Sequence, residues 1–317
     1  MRRLAAAVFT TWCVGVALWG AQPASLAPGL IAPTVTGVVD VFSREYFDIP
    51  LTGAVRLALT SALAGGRYAK AATPQELAEL LTHDLYDVTR DKHVAVQVVR
   101  PSSATGSSPA QRDVPTTAGF RRTEVLPGNI GLLDMAYFLR PVEHRDALAA
   151  AMKLLQPAAA LILDMRNNGG GSPGTVALLM SYLFEEPGKP LFEVIPRTGT
   201  REVYATVADT LAWRDGKRPV FVLTSKNSFS GGEGLAFLLQ DLKRAVVIGE
   251  STAGAANPGR PYPVNDLFEI TVPNGQLLTI LSRRNWEGNG VTPDIKVPAT
   301  DALTEAHTRA LAAIKQP

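Results

Sequence analysis

The sequence predicts an α/β fold with a smaller helical region in front of it. Two observations carry that prediction. From Asn129 onward, apolar segments of strand length alternate with helical segments, and Gly- or Ser-rich turns lie where a strand gives way to a helix. Before that point, Thr34 to Asp91 reads as mainly helical.

In the helical region, Thr73-Pro74-Gln75-Glu76 is a helix start. Thr73 can cap, Pro74 suits the first turn, and Glu76 is placed to close a capping box. Leu77, Leu80, Leu81, Leu85 and Val88 then recur on one face, so this helix must pack against something. Val94 to Val99 follows as a short strand. Pro101 to Thr117 is rich in Ser, Pro, Thr and Gly and reads as a linker, too short for a further domain.

In the α/β region, Ile130 to Met135 is a strand and Glu143 to Leu155 a helix carrying Leu148, Met152 and Leu155. Ala158 to Met165 is a near-continuous apolar strand that runs into Asn167-Asn168-Gly169-Gly170-Gly171. Ser172-Pro173 opens the next helix, through Leu178, Leu179 and Leu183. Val220 to Thr224 is another buried strand, and Ser230 opens a helix with Leu235, Leu238, Leu239 and Leu242. Ala245 to Ile248 is a strand again. Phe268 to Val272 and Gln276 to Leu281, joined by Pro273-Asn274-Gly275, are predicted to form a hairpin. Ala302 to Lys315 closes the chain as a helix. The expected organisation is a leader at 1–24, a helical domain at 34–100, a linker at 101–117 and an α/β domain at 118–317.

The 317 residues are 46% hydrophobic and 19% charged, enough for a sizeable core. A net charge of +2 makes no electrostatic case for nucleic acid or for an anionic membrane surface. Met1-Arg2-Arg3, the uncharged run Leu4 to Gly20 and the small residues after it have the make-up of a secretory signal. The predicted location is therefore periplasmic or extracellular, with an uncleaved membrane anchor as the alternative. The single cysteine, Cys13, lies in this leader, so the exported form has no disulfide, cysteine nucleophile or cysteine-ligated zinc. No metal or organic cofactor is expected.

Two strand-to-helix turns can carry chemistry. The Gly169-Gly170-Gly171 turn exposes backbone N–H groups and lets another chain come close. The other turn holds Ser228-Phe229-Ser230-Gly231-Gly232-Glu233. Ser230 with Glu233 three residues on is a capping box, a common structural device. Gly231 and Gly232 are nonetheless poor first-turn residues, each costing about 0.8–1 kcal/mol against alanine in a helix interior. They make sense if a substrate must approach, since a serine at a helix N-terminus has N–H groups ready for a developing oxyanion.

A serine nucleophile needs a base, and there are four histidines. His83 lies off the apolar face of its helix. His144, in Glu143-His144-Arg145-Asp146, is expected at the surface. His307 shares a face with Leu303, Leu311 and Ile314, which suits a packed structural role. His93, in Asp91-Lys92-His93, stands one step before a strand and is either a loop histidine or the base.

Four stretches, in order, resemble the tail-specific (C-terminal processing) serine peptidase family. They are LILDMRNNGGG (Leu161 to Gly171), VLTSKNSFSGGEG (Val222 to Gly234), VIGESTAGAANPG (Val247 to Gly259) and NWEGNGVTPDI (Asn285 to Ile295). With the D-x-H stretch Asp91-Lys92-His93 and the helical N-terminal region, the likeness is to the branch containing the tricorn core protease and interphotoreceptor retinoid-binding protein. The resemblance implies the crotonase-like and Clp-protease-like spiral of ββα units. It implies Ser230 as nucleophile, His93 as general base and Glu287 as the acid orienting the histidine network. It also implies Gly170 and Gly231 as backbone donors of the oxyanion hole, each worth about 10²–10³ in rate.

The departures matter. The Ser–Lys branch of the family places its lysine in the loop that here reads Gly254-Ala255-Ala256-Asn257, which has none, and Lys226 and Lys243 do not match that position. Lys92 stands where the tricorn-like arrangement has a serine bridging to the glutamate. No PDZ-like module fits between His93 and Asn129. The expected partner is a peptide or protein substrate. A binding protein on the same fold is the alternative; a nucleotide-binding protein using the Gly169-Gly170-Gly171 turn would need the lysine of a G-x-x-x-x-G-K-[ST] loop, and there is none.

Overall fold

Four strands so apolar that neither face can stay wet set the centre of the molecule, described here from a computed structural model. The structure describes residues 26–99, 118–208, 210 and 213–315; the expected leader and linker lie outside them. β3 (Ile130–Met135), β4 (Ala160–Asp164), β7 (Val220–Thr224) and β8 (Val246–Gly249) run parallel and adjacent. Every residue of β4 and β7 is buried. The sheet is completed by β2 (Phe120–Leu126), antiparallel to β3, and by the short β12 (Ile295–Lys296), parallel to β8.

Alternation along these strands sorts the side chains into two cores. Leu161, Leu163, Val220 and Val222 face α4 (Pro141–Leu154), α5 (Pro173–Met180) and α6 (Gly231–Asp241), meeting Leu148, Met152, Leu179, Leu235 and Leu239. Ala160, Ile162, Phe221 and Leu223 face the other way, onto Ala302, Ala306 and Ala310 of α7 (Ala302–Ala313). Parallel strands with helices on both faces put the strand C-termini, and the two turns singled out above, at one end of the sheet.

The helical region comprises α1 (Ile31–Glu45), α2 (Ile49–Ala64) and α3 (Pro74–Thr89), followed by β1 (Ala95–Val98). Thr73 caps α3 as expected, its hydroxyl accepting the Glu76 N–H at 3.2 Å; the Glu76 carboxylate reaches back to the Ala72 N–H at 2.7 Å. Leu77, Leu81 and Leu85 do face a core, but it is shared. β1 pairs with β10 (Phe268–Pro273), which pairs on its other side with β9 (Gly259–Pro263). Phe268, Ile270 and Val272 pack among the α1–α3 side chains. The C-terminal half of the chain thus supplies part of the floor beneath the N-terminal helices.

The expected hairpin between residues 268 and 281 does not form. β11 (Gly275–Thr279) follows β10 after one residue but joins a different sheet, pairing with β5 (Pro190–Pro196), which pairs with β6 (Glu202–Ala205). Both edges of β10 are already taken by β1 and β9, so β11 has no free edge there. Pro273-Asn274-Gly275 is therefore not a hairpin turn: it passes the chain from one sheet to another instead of reversing the strand.

His144 is not at the surface. It is fully buried, its Nδ1 accepting the Leu139 N–H at 3.1 Å and its ring edge-on to Phe120 at 4.7 Å. β2, which covers it, has no apolar run in sequence and was not expected. Burial holds the imidazole pKa down to about 4. An unfolded histidine binds its proton near 6.5, so acid favours the unfolded chain. The contribution of His144 is therefore complete above about 6.5 and is lost as pH falls towards 4. Thermal unfolding of the wild type at pH 7 and pH 4.5 should show a larger loss of Tm than in His144→Gln, which keeps an acceptor but does not titrate. Equal losses would refute it. His307 has a structural role: its Nε2 lies 2.8 Å from the Pro127 carbonyl, tying α7 to the β2–β3 turn. Among the described residues no helix is long and apolar enough to cross a membrane.

Candidate active site

The two strand-to-helix turns are stitched together by small polar side chains. After β7, Ser228 accepts the Ser225 N–H at 3.0 Å and donates to the Met165 carbonyl at 2.7 Å, while the Phe229 N–H reaches the Asn168 carbonyl at 2.9 Å. The next residue, Ser230, is forced to φ 49° and ψ −117°. That is left-handed territory in which a side chain is strained. The Ser230 N–H donates to Glu233 at 2.7 Å, the half of the expected capping box that fixes the backbone.

Glu233 does much more than cap. Fully buried, it also accepts from the Thr252 hydroxyl at 2.6 Å, the Gly254 N–H at 2.5 Å and the Ala255 N–H at 3.0 Å. The next two amides of the same strap, Ala256 and Asn257, donate to Glu287 Oε2 at 2.7 and 3.1 Å. The Trp286 indole N–H meets the Ala255 carbonyl at 2.9 Å. Residues 252–257 thereby join the Ser230 turn to Glu287.

His93 arrives from the other core. α3 ends at Arg90 in a left-handed cap, and Asp91 Oδ1 accepts the His93 N–H at 2.9 Å, turning the chain into β1. This brings the imidazole against Phe229, ring centres 5.0 Å apart, one residue from Ser230. His93 and Ser230 are not hydrogen-bonded to each other among the described residues; such bonds commonly tighten only when substrate is bound. Lys92 donates its ammonium to the Ala253 carbonyl, binding the histidine turn to the strap and leaving no bridge from Lys92 to Glu287.

Behind the imidazole is an acid cluster, Asp91 buried and Glu287 partly buried. Asp91, His93 and Glu287 each offer a ligand atom within 4.8 Å of the others. His93 Nδ1 lies 3.9 Å from Asp91 Oδ1. Neither Nδ1 nor Glu287 Oε1 has a hydrogen-bond partner. Burial lowers the His93 pKa to about 4, so the ring is a neutral acceptor at pH 7. Burial, then the nearby Asp91 charge, raises Glu287 to about 7; burial raises Asp91 to about 6. His83, Asp84 and Asp87 form a second, exposed trio, in which Asp84 is already held by Arg67 at 2.6–3.0 Å and by Tyr68 at 2.8 Å.

The glycine turn abuts Ser230, with one correction to the expected donors. A Cβ on Gly170 (φ 90°) would lie 2.6 Å from Ser230 Cβ and 3.0 Å from the Gly231 nitrogen, so only glycine permits this approach. The Gly170 N–H, however, is spent on Asn168 Oδ1 at 2.8 Å, with Asn168 Nδ2 held in turn by the Met135 carbonyl at 2.9 Å. Its exposed neighbour Gly171 has no such bond among the described residues, and its nitrogen lies 3.2 Å from where a Cβ on Gly231 would be. The Gly170 amide is therefore not free for an oxyanion, whereas those of Gly171 and Gly231 are.

Sequence reasoning named Ser230, His93, Glu287 and the two glycine turns, and the fold gathers them at one end of the parallel sheet. It missed Tyr46, whose hydroxyl reaches Asp91 Oδ2 at 3.3 Å. It also missed Asn168 as the group that occupies Gly170. An Asn directly before three glycines was the available signal for the latter; nothing in the sequence around residue 46 signals the former.

With this geometry in place, comparison with known proteins is informative. The family model described as Peptidase family S41 matches residues 129–297. The tail-specific protease of Haemophilus influenzae is 30% identical over 149 residues, covering 46% of this chain and 20% of that protein. The carboxy-terminal processing protease CtpA of Bacillus subtilis is 28% identical over 184 residues, covering 56% and 37%. The matches thus span a fifth to about two fifths of those relatives' lengths. Among solved structures, a lipoprotein from Streptococcus agalactiae superposes with a TM-score of 0.63 at 14% identity, covering 92% of this chain and 98% of that one. The photosystem II D1 C-terminal processing protease superposes with 0.54 at 15% identity over the same shares. These structural likenesses establish the fold.

Proposed function

The chain belongs to peptidase family S41, and on that premise we propose that it is an exported serine peptidase that cleaves peptide bonds through an acyl-enzyme on Ser230. The observation that carries the reading is the strained Ser230 turn, packed on the glycine turn with the buried, neutral His93 ring one residue away.

In the reaction, Ser230 Oγ attacks the scissile carbonyl carbon while His93 takes the hydroxyl proton on Nε2, because Nδ1 faces Asp91. The carbonyl oxygen becomes an oxyanion beside the Gly171 and Gly231 amides. Collapse expels the amine, protonated by His93, and leaves the ester on Ser230. Water activated by the same imidazole then releases the acid. Glu287 orients the histidine network from behind. Residues 118–317 form the catalytic unit, the helical region at 34–100 brings the base, and 1–24 is the export signal. The names of the relatives support a peptide or protein as substrate.

The test is fluorophosphonate labelling of the exported protein followed by peptide mapping. Label on Ser230, lost in His93→Ala, is the expected result. An unlabelled wild type would instead make this a binding protein on the same fold, and label lost only in Lys226→Ala would move the base to a lysine.

A further inference from the structure

Two carboxyl groups, Asp91 buried and Glu287 partly buried with its Oε1 shut away from water, stand behind His93 where the reaction needs one charge. Asp91 approaches from the end of α3, and Glu287 from the loop after β11, with ligand atoms within 4.8 Å of each other and of the imidazole. Neither carboxylate forms an ion pair with a lysine or arginine among the described residues; Lys92, the nearest in sequence, is turned to the Ala253 carbonyl. Two negative charges this close, with Asp91 buried and no cation beside them, raise each other's pKa and favour holding one proton between them.

Their hydrogen bonds differ in a way that decides which keeps the charge. Asp91 accepts from the His93 N–H on Oδ1 at 2.9 Å and from the Tyr46 hydroxyl on Oδ2 at 3.3 Å. Glu287 accepts two amides, both on Oε2, and its buried Oε1 receives none. Donors on both oxygens favour the ionised form of Asp91; an oxygen with no donor favours a proton on Glu287.

We propose that Asp91 and Glu287 share one proton behind His93, with Asp91 carrying the negative charge that positions the imidazole and Glu287 Oε1 carrying the proton. This deepens the serine-peptidase reading and rests on it for its catalytic meaning. Asp91, 3.9 Å from Nδ1, favours the Nδ1–H tautomer by its charge and balances the imidazolium formed when Ser230 gives up its proton; Glu287 is a positioning residue that acts through Asp91. The raised pKa values of the pair, about 6 for Asp91 and about 7 for Glu287, agree with one proton held between them near neutrality. The other ionisable groups facing the pair, Tyr46 just after α1 and the buried Glu233, bring no positive charge.

The experiment is infrared difference spectroscopy on the full chain across pH 5–9, with the labelling rate of Ser230 measured in parallel. The wild type should show the C=O stretch of a buried protonated carboxyl that disappears on raising pH through about 7. That band should be present in Ser230→Ala and missing in Glu287→Gln. In Asp91→Asn the remaining carboxyl should ionise at lower pH, and labelling should slow by about 10²–10⁴, as for loss of a histidine-orienting carboxylate. Asp91→Glu should restore part of that rate. A band that survives in Glu287→Gln, or no titrating band in the wild type, would overturn the shared proton whatever the labelling shows. Failure of the wild type to label would refute the peptidase reading alone, since the titration needs no turnover.

Discussion

Replacing Ser230 with glycine should raise the melting temperature of the protein while abolishing labelling and hydrolysis. The serine sits at φ 49° and ψ −117°, a backbone region that penalises any side chain. Holding a non-glycine residue in such a region costs about 1–3 kcal/mol. Glycine removes that cost and gives back about 0.5–1 kcal/mol as extra freedom of the unfolded chain. The net gain is about 1 kcal/mol, read as roughly 2–4 °C in calorimetry for a domain of ordinary size. Ser230→Ala keeps the Cβ, so it should stay within about 0.5 kcal/mol of wild type while losing activity on the order of 10⁶-fold in kcat. The comparison of glycine with alanine isolates backbone strain from lost chemistry. If the glycine variant melts below the alanine variant, the turn is not strained and the pre-organisation argued for this serine is wrong.

The largest loss of stability is expected at Glu233→Ala. The Glu233 carboxylate satisfies the Ser230, Gly254 and Ala255 amides and the Thr252 hydroxyl in a fully buried site. Removing it leaves four donors without a partner, each worth about 1–3 kcal/mol when buried and unsatisfied, though not additively. A loss of about 4 kcal/mol or more in urea unfolding is expected. Labelling should fall as well, because the strap that joins the Ser230 turn to Glu287 loses its anchor. A loss below about 1 kcal/mol would mean that water or rearranged backbone replaces the carboxylate at little cost, and the strap would then not be what holds the Ser230 turn in register with Glu287.

Much of this arrangement is legible before folding is considered. Ala158 to Met165 and Val220 to Thr224 are too apolar to be anything but two-sided buried strands, and β4 and β7 are buried at every position. The Thr73 cap is a local hydrogen bond and formed as its spacing required. Ser230 and the glycine turn announce themselves because glycines at helix starts make poor sense for stability alone. The errors have a common cause. His144 was placed at the surface because its own neighbours are charged, but burial there is decided by β2, a strand with alternating polar residues. The hairpin at 268–281 was inferred from local turn residues, but strand pairing depends on which edges are free, and β10 had none.

The sequence alone determined the parallel core, its alternation of faces, the two glycine-bearing turns and the residue types available for chemistry, because each follows from periodicity or from contacts a few residues apart. Only the tertiary structure decided which amide is free, Gly171 and not Gly170, and which acids stand behind His93. Those depend on Asn168, Tyr46 and the 252–257 strap arriving from distant parts of the chain, and hydrogen-bond competition between such groups has no trace in local spacing.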